Sequence, residues 1–263
     1  MERPLWANRV GRAAACVLLM LPLACVPIAA SANPWLKDSG AGELISDATI
    51  TRQQSGLAPG TQASAYSNLH LEYGVVGNVT LVADSSFQQY VANGMTRSAF
   101  DTAWAGPRIA LKRWDNSILS FEGVGGISGI RQNTLPDSPL ALSGTAEARL
   151  MFGQGFEVFA RHAFAGVEGG WRWRAGAPAN EFLLDTVAGI APWQSALLML
   201  QSFSIAGSGT ARGAYRRYDL VKLQLSLAQR LTPRWWIQAG AIASVAGSDA
   251  GDAGGVFGIW RRF

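Results

Sequence analysis

Apolar and polar side chains alternate along this chain with a period of two, in short runs cut by evenly spaced turns. Leu69, Leu71 and Tyr73 alternate with Asn68, His70 and Glu72, and Val79, Leu81 and Ala83 with Thr80 and Asp84. Ile109 and Leu111 alternate with Arg108 and Lys112, Leu119 and Phe121 with Ser120 and Glu122, Ala148 and Leu150 with Glu147 and Arg149. Phe156, Val158 and Ala160 alternate with Glu157, Phe159 and Arg161, and Phe182 and Leu184 with Glu181 and Asp185. Val221, Leu223, Leu225 and Leu227 alternate with Lys222, Gln224 and Ser226. A period of two belongs to strands, not helices.

Short turns are expected at Val76-Gly77-Asn78, Trp114-Asp115-Asn116, Gly153-Gln154-Gly155, Ala191-Pro192-Trp193 and Leu231-Thr232-Pro233. Their centres, 77, 115, 154, 192 and 232, step by 38, 39, 38 and 40 residues. Longer connections rich in Gly, Ser, Pro, Asn and Asp are expected near 55–63, 92–98, 131–142, 165–178, 207–213 and 245–252. Five hairpins, with a first strand near 41–52 and a last near 254–263, predict twelve strands.

The alternation must be reconciled with too little charge. Charged residues are 15% and hydrophobic residues 49%, against roughly 25% charged for a typical soluble domain. That deficit argues against an ordinary cytosolic enzyme. No stretch after residue 32 supplies the roughly 20 apolar residues of a membrane helix. A closed antiparallel β-barrel resolves the conflict, because only the outward half of each strand has to be apolar. A soluble sandwich would show polar outward faces instead. The predicted fold class is therefore an all-β, up-and-down transmembrane barrel of about twelve strands.

Residues 1–32 read as a cleavable secretory signal, and 33–263 as the barrel. Arg3, Arg9 and Arg12 form the basic end, 13–30 is apolar, and Ala30-Ser31-Ala32 is the small-x-small cleavage pattern. Both cysteines, Cys16 and Cys25, fall in this segment. A mature chain starting at Asn33 would carry none, which suits an oxidising periplasm. No basic cluster remains in it, so no nucleic-acid partner is expected.

Aromatic residues gather at the predicted strand ends. Tyr73, Trp114, Phe156, Trp193, Trp235, Trp236, Trp260 and Phe263 lie near the short turns or the terminus. Tyr90, Phe100, Trp104, Phe164, Trp171, Trp173, Tyr215 and Tyr218 lie toward the long connections. Two such belts fit two membrane interfaces. Trp171-Arg172-Trp173-Arg174 is expected in a loop, as an interface anchor.

Four segments carry a family resemblance: Asn33-Pro34-Trp35-Leu36-Lys37; Gly40-Ala41-Gly42-Glu43-Leu44-Ile45; Leu69 to Gly74 with Asn78-Val79-Thr80-Leu81; and the closing Gly258-Ile259-Trp260-Arg261-Arg262-Phe263. Together they resemble a group of small proteobacterial outer-membrane barrel proteins. The resemblance implies an outer-membrane location, outer-membrane lipid as surroundings and barrel-assembly machinery as a partner during biogenesis. It implies no established substrate. Gly258 and Phe263 match the terminal assembly signal of such barrels, while Arg261 stands where an apolar residue is expected.

The sequence holds no phosphate loop, zinc motif or calcium loop, and no cofactor is expected. His70 and His162 are the histidines beyond residue 32. Neither has a serine two positions away, the pairing of outer-membrane lipases, so catalysis is not expected. His70 is expected to bond Glu72 or a neighbouring strand. Gly123-Val124-Gly125-Gly126 lies within strand alternation and reads as a packing feature.

The alternation sends His70, Glu72, Asp84, Arg108, Lys112, Glu122, Glu147, Arg149, Glu157, Arg161, Glu181, Asp185 and Lys222 into the lumen. Such charges must pair or meet water. The expected function is a narrow channel for small solutes. A non-conducting structural or assembly barrel is the second reading, and a lipid-modifying enzyme the third.

Overall fold

A computed structural model describes residues 34–53, 62–92, 95–130, 141–176, 178–208, 219–247 and 251–263. The expected signal segment lies outside the described residues, as do most residues of the expected long loops near 55–63, 131–142 and 207–213.

Among the described residues, twelve strands form one closed antiparallel barrel. They are β1 (Gly42–Gln53), β2 (Gln62–Val76), β3 (Val79–Ala92), β4 (Met95–Arg113), β5 (Ser117–Ile130) and β6 (Ala141–Val158). The second half comprises β7 (Arg161–Arg174), β8 (Asn180–Ile190), β9 (Ala196–Ser208), β10 (Asp219–Arg230), β11 (Trp235–Gly247) and β12 (Ala253–Arg262). Each strand pairs with its sequence neighbours, and β1 closes on β12 from Glu43↔Arg262 to Arg52↔Ala253. Closure leaves no edge whose backbone groups would go unpaired in lipid.

The outward rows meet across strands as apolar pairs, among them Ile109↔Phe121, Phe121↔Leu150, Leu225↔Leu200 and Leu227↔Leu198. Those residues are largely exposed, as a lipid-facing surface requires. The buried core is inside the barrel. Ile45, Val187, Leu197, Met199, Ala228, Trp236 and Trp260 form one cluster toward the end where the short turns lie.

Four of the expected short turns stand where the sequence puts them; the third does not. β6 runs through Gly153-Gln154-Gly155, and the chain turns at Phe159-Ala160, both in the left-handed region with φ of 52° and 58°. The glycines at 153 and 155 are therefore strand residues. The expected 165–178 loop is likewise mostly strand, because β7 continues to Arg174. Trp171-Arg172-Trp173-Arg174 is a strand end that sends its tryptophans outward and its arginines inward.

The belts need a similar correction. Tyr73, Trp114, Phe156, Trp193, Trp235 and Phe263 are exposed around the turn end, and Trp173 near the loop end. Trp236 and Trp260, each 1% exposed, are interior residues. Trp104, edge-on to His70, and Phe164, edge-on to Trp35, also point inward.

Candidate functional site

The lumen is shaped first by residues that belong to no strand. A turn at Ser39-Gly40, with φ +80° at Gly40, folds the preceding chain back into the turn end of the barrel. Gly40 N–H donates to the Gly74 carbonyl at 2.8 Å and fixes that bend. The Pro34 carbonyl accepts from Ser120 Oγ at 2.9 Å, and the Trp35 carbonyl from Arg108 Nη1 at 3.4 Å. The Lys37 N–H donates to Thr80 Oγ1 at 2.8 Å. Lys37 Nζ bonds Glu43 and stands 3.0 Å from Glu72. Trp35 meets the edge of Phe164 at 5.6 Å between centroids. Pro34 and Trp35 occupy the space that a side chain at Gly153 would need, and Pro34 also borders Gly166. This interior plug was missed from sequence, where Asn33-Pro34-Trp35-Leu36-Lys37 entered only through the resemblance.

Beside the plug, strands β2 to β8 carry an ion-paired wall. Arg108 Nη1 is 2.7 Å from Glu72 and its Nη2 is 2.8 Å from Glu122. His70 lies between two carboxylates, Nδ1 3.3 Å from Asp84 and Nε2 3.4 Å from Glu72. Both ring nitrogens thus face acids, and neither faces a serine. Arg149 bonds Glu147, Glu168 at 3.1 Å and Asp185 at 2.8 Å. Arg172 is 2.6 Å from Glu147 and 3.0 Å from Glu181, and Arg174 is 2.8 Å from Glu181. At the turn end Arg262 closes on Glu43 at 2.9 Å. Each of these acids faces a basic side chain, as the cost of unpaired charge inside a wall of low polarity requires.

Three of the expected lumen residues are elsewhere. A register shift between Ala110 and Lys112 turns Lys112 outward, where its ammonium lies 5.3 Å from the Trp114 ring. Glu157, 69% exposed, and Arg161 flank the β6–β7 turn outside the lumen. There Glu157 stands 4.0 Å from His162. The network also recruits residues that sequence reading did not place in the lumen: Lys37, Glu43, Glu168, Arg172, Arg174 and Arg262. Glu168 alternates with Val167 and Gly169, a signal obscured once that stretch is taken for a loop.

The wall formed by β9 to β12, β1 and β2 is different. Gln224 Nε2 donates to Gln201 at 3.1 Å, Gln238 Nε2 donates to Ser226 at 2.9 Å, and Trp260 Nε1 donates to Gln238 at 3.1 Å. A cavity of about 360 Å³ lies along this wall. It reaches from Ile45 and Trp260 toward Thr51 and Ser64, near the loop end, and Lys222 and Asp47 line it. Gly258 faces inward beside Gln238 and Trp260; a Cβ there would approach Gln238 Oε1 to 3.1 Å.

No family model matches this sequence, and no curated protein does. The architecture nevertheless recurs among solved structures. An outer-membrane channel from Pseudomonas putida F1 superposes with a TM-score of 0.65 at 10% identity, over 90% of this chain and 100% of that one. The NanC porin superposes with a TM-score of 0.57 at 9% identity, over 82% of this chain and 98% of that one. The chain has the outer-membrane β-barrel fold. At such low identity the likeness concerns the fold alone, and the lumen has to be read from its own residues.

Proposed function

We propose that this outer-membrane β-barrel is a narrow channel for small polar solutes, held closed at its periplasmic end by its own residues 34–38. Short turns face the periplasm in such barrels, which puts the plug on that side and the cavity toward the outside. One observation carries the reading. The turn end is filled on one side by the apolar cluster around Trp236 and Trp260 and on the other by a segment outside the sheet, held by exchangeable polar bonds to Ser120, Arg108, Thr80, Glu43 and Glu72. Moving that segment aside opens a path along the ion-paired wall, beside the apolar cluster. Twelve strands fall between the filled eight-stranded and open sixteen-stranded cases, so a movable filling is a reasonable way to regulate such a lumen. The channel descriptions of the two similar structures agree with this reading.

Planar-bilayer recording of refolded wild type and of a variant lacking residues 34–38 tests it. Wild type should show rare, small openings, and the deletion a sustained current several times larger. Folded protein of both kinds carrying no current would reject the channel and favour a structural barrel.

A further inference from the structure

We propose that the lumen cavity binds a small zwitterionic solute of the amino-acid class, with its ammonium at Asp47 and its carboxylate at Lys222. The inference names a substrate for the channel reading and rests on that reading only for passage through the barrel.

The contrast between the two walls carries it. On the β2–β8 wall, arginines and acids are joined in networks. In the cavity, by contrast, the lining holds one acid, Asp47, and one ammonium, Lys222. No ion pair joins them, and among the described residues neither has another ion-pair partner. Asp47 accepts a hydrogen bond from the Asn68 side chain. Asn68 Oδ1 is itself buried with no hydrogen-bond partner, and Asn68 lines the same space. Asn68 Oδ1, shut off from water, requires a donor, while Asp47 and Lys222 stand half-buried in the lumen, where a solute can meet them.

The ligand follows from what each alternative leaves unmet. A neutral saccharide would answer neither charge. A simple anion would answer Lys222 alone, and a simple cation Asp47 alone. A solute with both charges answers both, and its ammonium also supplies a donor for Asn68 Oδ1. Gln201, Gln224 and Gln238 offer further donors and acceptors, while Met199 and Phe203 give an apolar side chain a surface. The volume of about 360 Å³ lies at the small end of ligand sites, roughly 300–1,000 Å³, and admits one amino acid or a dipeptide.

Calorimetry on the refolded full chain in detergent tests the site without requiring flux. The probes are L-leucine, N-acetyl-L-leucine, L-leucinamide, glucose and phosphoethanolamine, the last standing for a lipid headgroup. Leucine should bind, and each blocked derivative should bind roughly tenfold more weakly. Lys222→Met should weaken leucine roughly tenfold and leave leucinamide unchanged. Asp47→Asn should weaken leucine similarly and leave N-acetyl-leucine unchanged. Heat-modified gel migration reports folding of both variants, and the pattern across probes separates a lost charge contact from a damaged barrel. Equal binding of leucine and its blocked forms overturns the proposal. So does preference for glucose or phosphoethanolamine, indifference to both substitutions, or no binding of any probe at millimolar concentration. Binding without current would retain this site and remove the channel; current without binding would do the reverse.

Discussion

Lys37 Nζ stands 3.0 Å from Glu72 Oε2, tying a residue outside the sheet to the second strand of the wall. The same ammonium bonds Glu43 on the first strand. Glu72 is also bound by Arg108, and Glu43 by Arg262. Lys37 therefore both anchors the interior segment and supplies Glu72 with a cation that Arg108, shared with Glu122, replaces only in part.

Lys37→Met should accordingly release the plug without unfolding the barrel. Both carboxylates keep an arginine, so global unfolding should shift by less than the ~3–5 kcal/mol for stranding a buried charge. Limited proteolysis with mass spectrometry should show new cleavage near 34–38, and bilayer recordings more frequent openings. A protected segment with unchanged gating would show that its other contacts suffice to hold it.

Arg149 occupies the opposite situation. It serves Glu147, Glu168 and Asp185 together, and its nearest basic neighbour in the network, Arg172, reaches Glu147 but is not bonded to the other two. Arg149→Met should leave Glu168 and Asp185 without their cation and cost about 3–5 kcal/mol. Lys112→Met, on the outer surface beside Trp114, should change stability by less than about 0.5 kcal/mol. Urea unfolding in lipid vesicles compares the two. Equal effects would contradict the outward placement of Lys112.

The contrast between Arg149 and Lys112 shows where sequence reading succeeds and where it stops. Alternation alone is enough to place Glu72, Arg108, Glu122 and Arg149 in the lumen, because side chains along a regular strand change face at every residue. One bulge breaks that rule locally, and hydropathy carries no mark of the bulge before Lys112. The third turn failed for a related reason. Gly153 and Gly155 look like turn residues, but Gly153 is small because Pro34 and Trp35 pack on it. The actual turn, Phe159-Ala160, adopts positive φ without glycine or asparagine to announce it. The plug was illegible because five residues ahead of a strand have no periodicity of their own. Trp236 and Trp260 were placed in a belt because position along the chain does not distinguish a tryptophan facing lipid from one facing inward.

The packing at Gly153 can be tested directly. A side chain there would meet Pro34 and Trp35, whereas one at Gly155 would meet only the Asn116 carbonyl at an ordinary 3.6 Å. Gly153→Val should therefore displace the plug, shift tryptophan emission to longer wavelength as Trp35 enters water, and enlarge the current. Gly155→Ala should do none of these. If Gly153→Val retains wild-type emission and current, the segment is not held against β6.

Closure of the barrel rests on Gly42 and Phe263. Gly42 N–H donates to the Phe263 carbonyl at 2.8 Å, and Phe263 N–H donates to the Gly42 carbonyl at 3.0 Å. The Phe263 ring covers the place where a side chain at 42 would stand. Deleting Phe263 removes both bonds and the ring from the seam, and should lower the assembled fraction several-fold, while Ser208→Ala should leave it unchanged. Gly42→Val should also impair closure, through collision with the ring. The double variant Gly42→Val with Phe263→Ala separates two roles for that ring. If it only fills the seam, removing it relieves the collision and restores both refolding in vitro and outer-membrane yield in cells. If the assembly machinery also reads the terminal aromatic, refolding recovers in vitro while yield in cells stays low. Wild-type yield after deletion of Phe263 would mean that the strand pairs from Glu43↔Arg262 onward suffice for both closure and recognition.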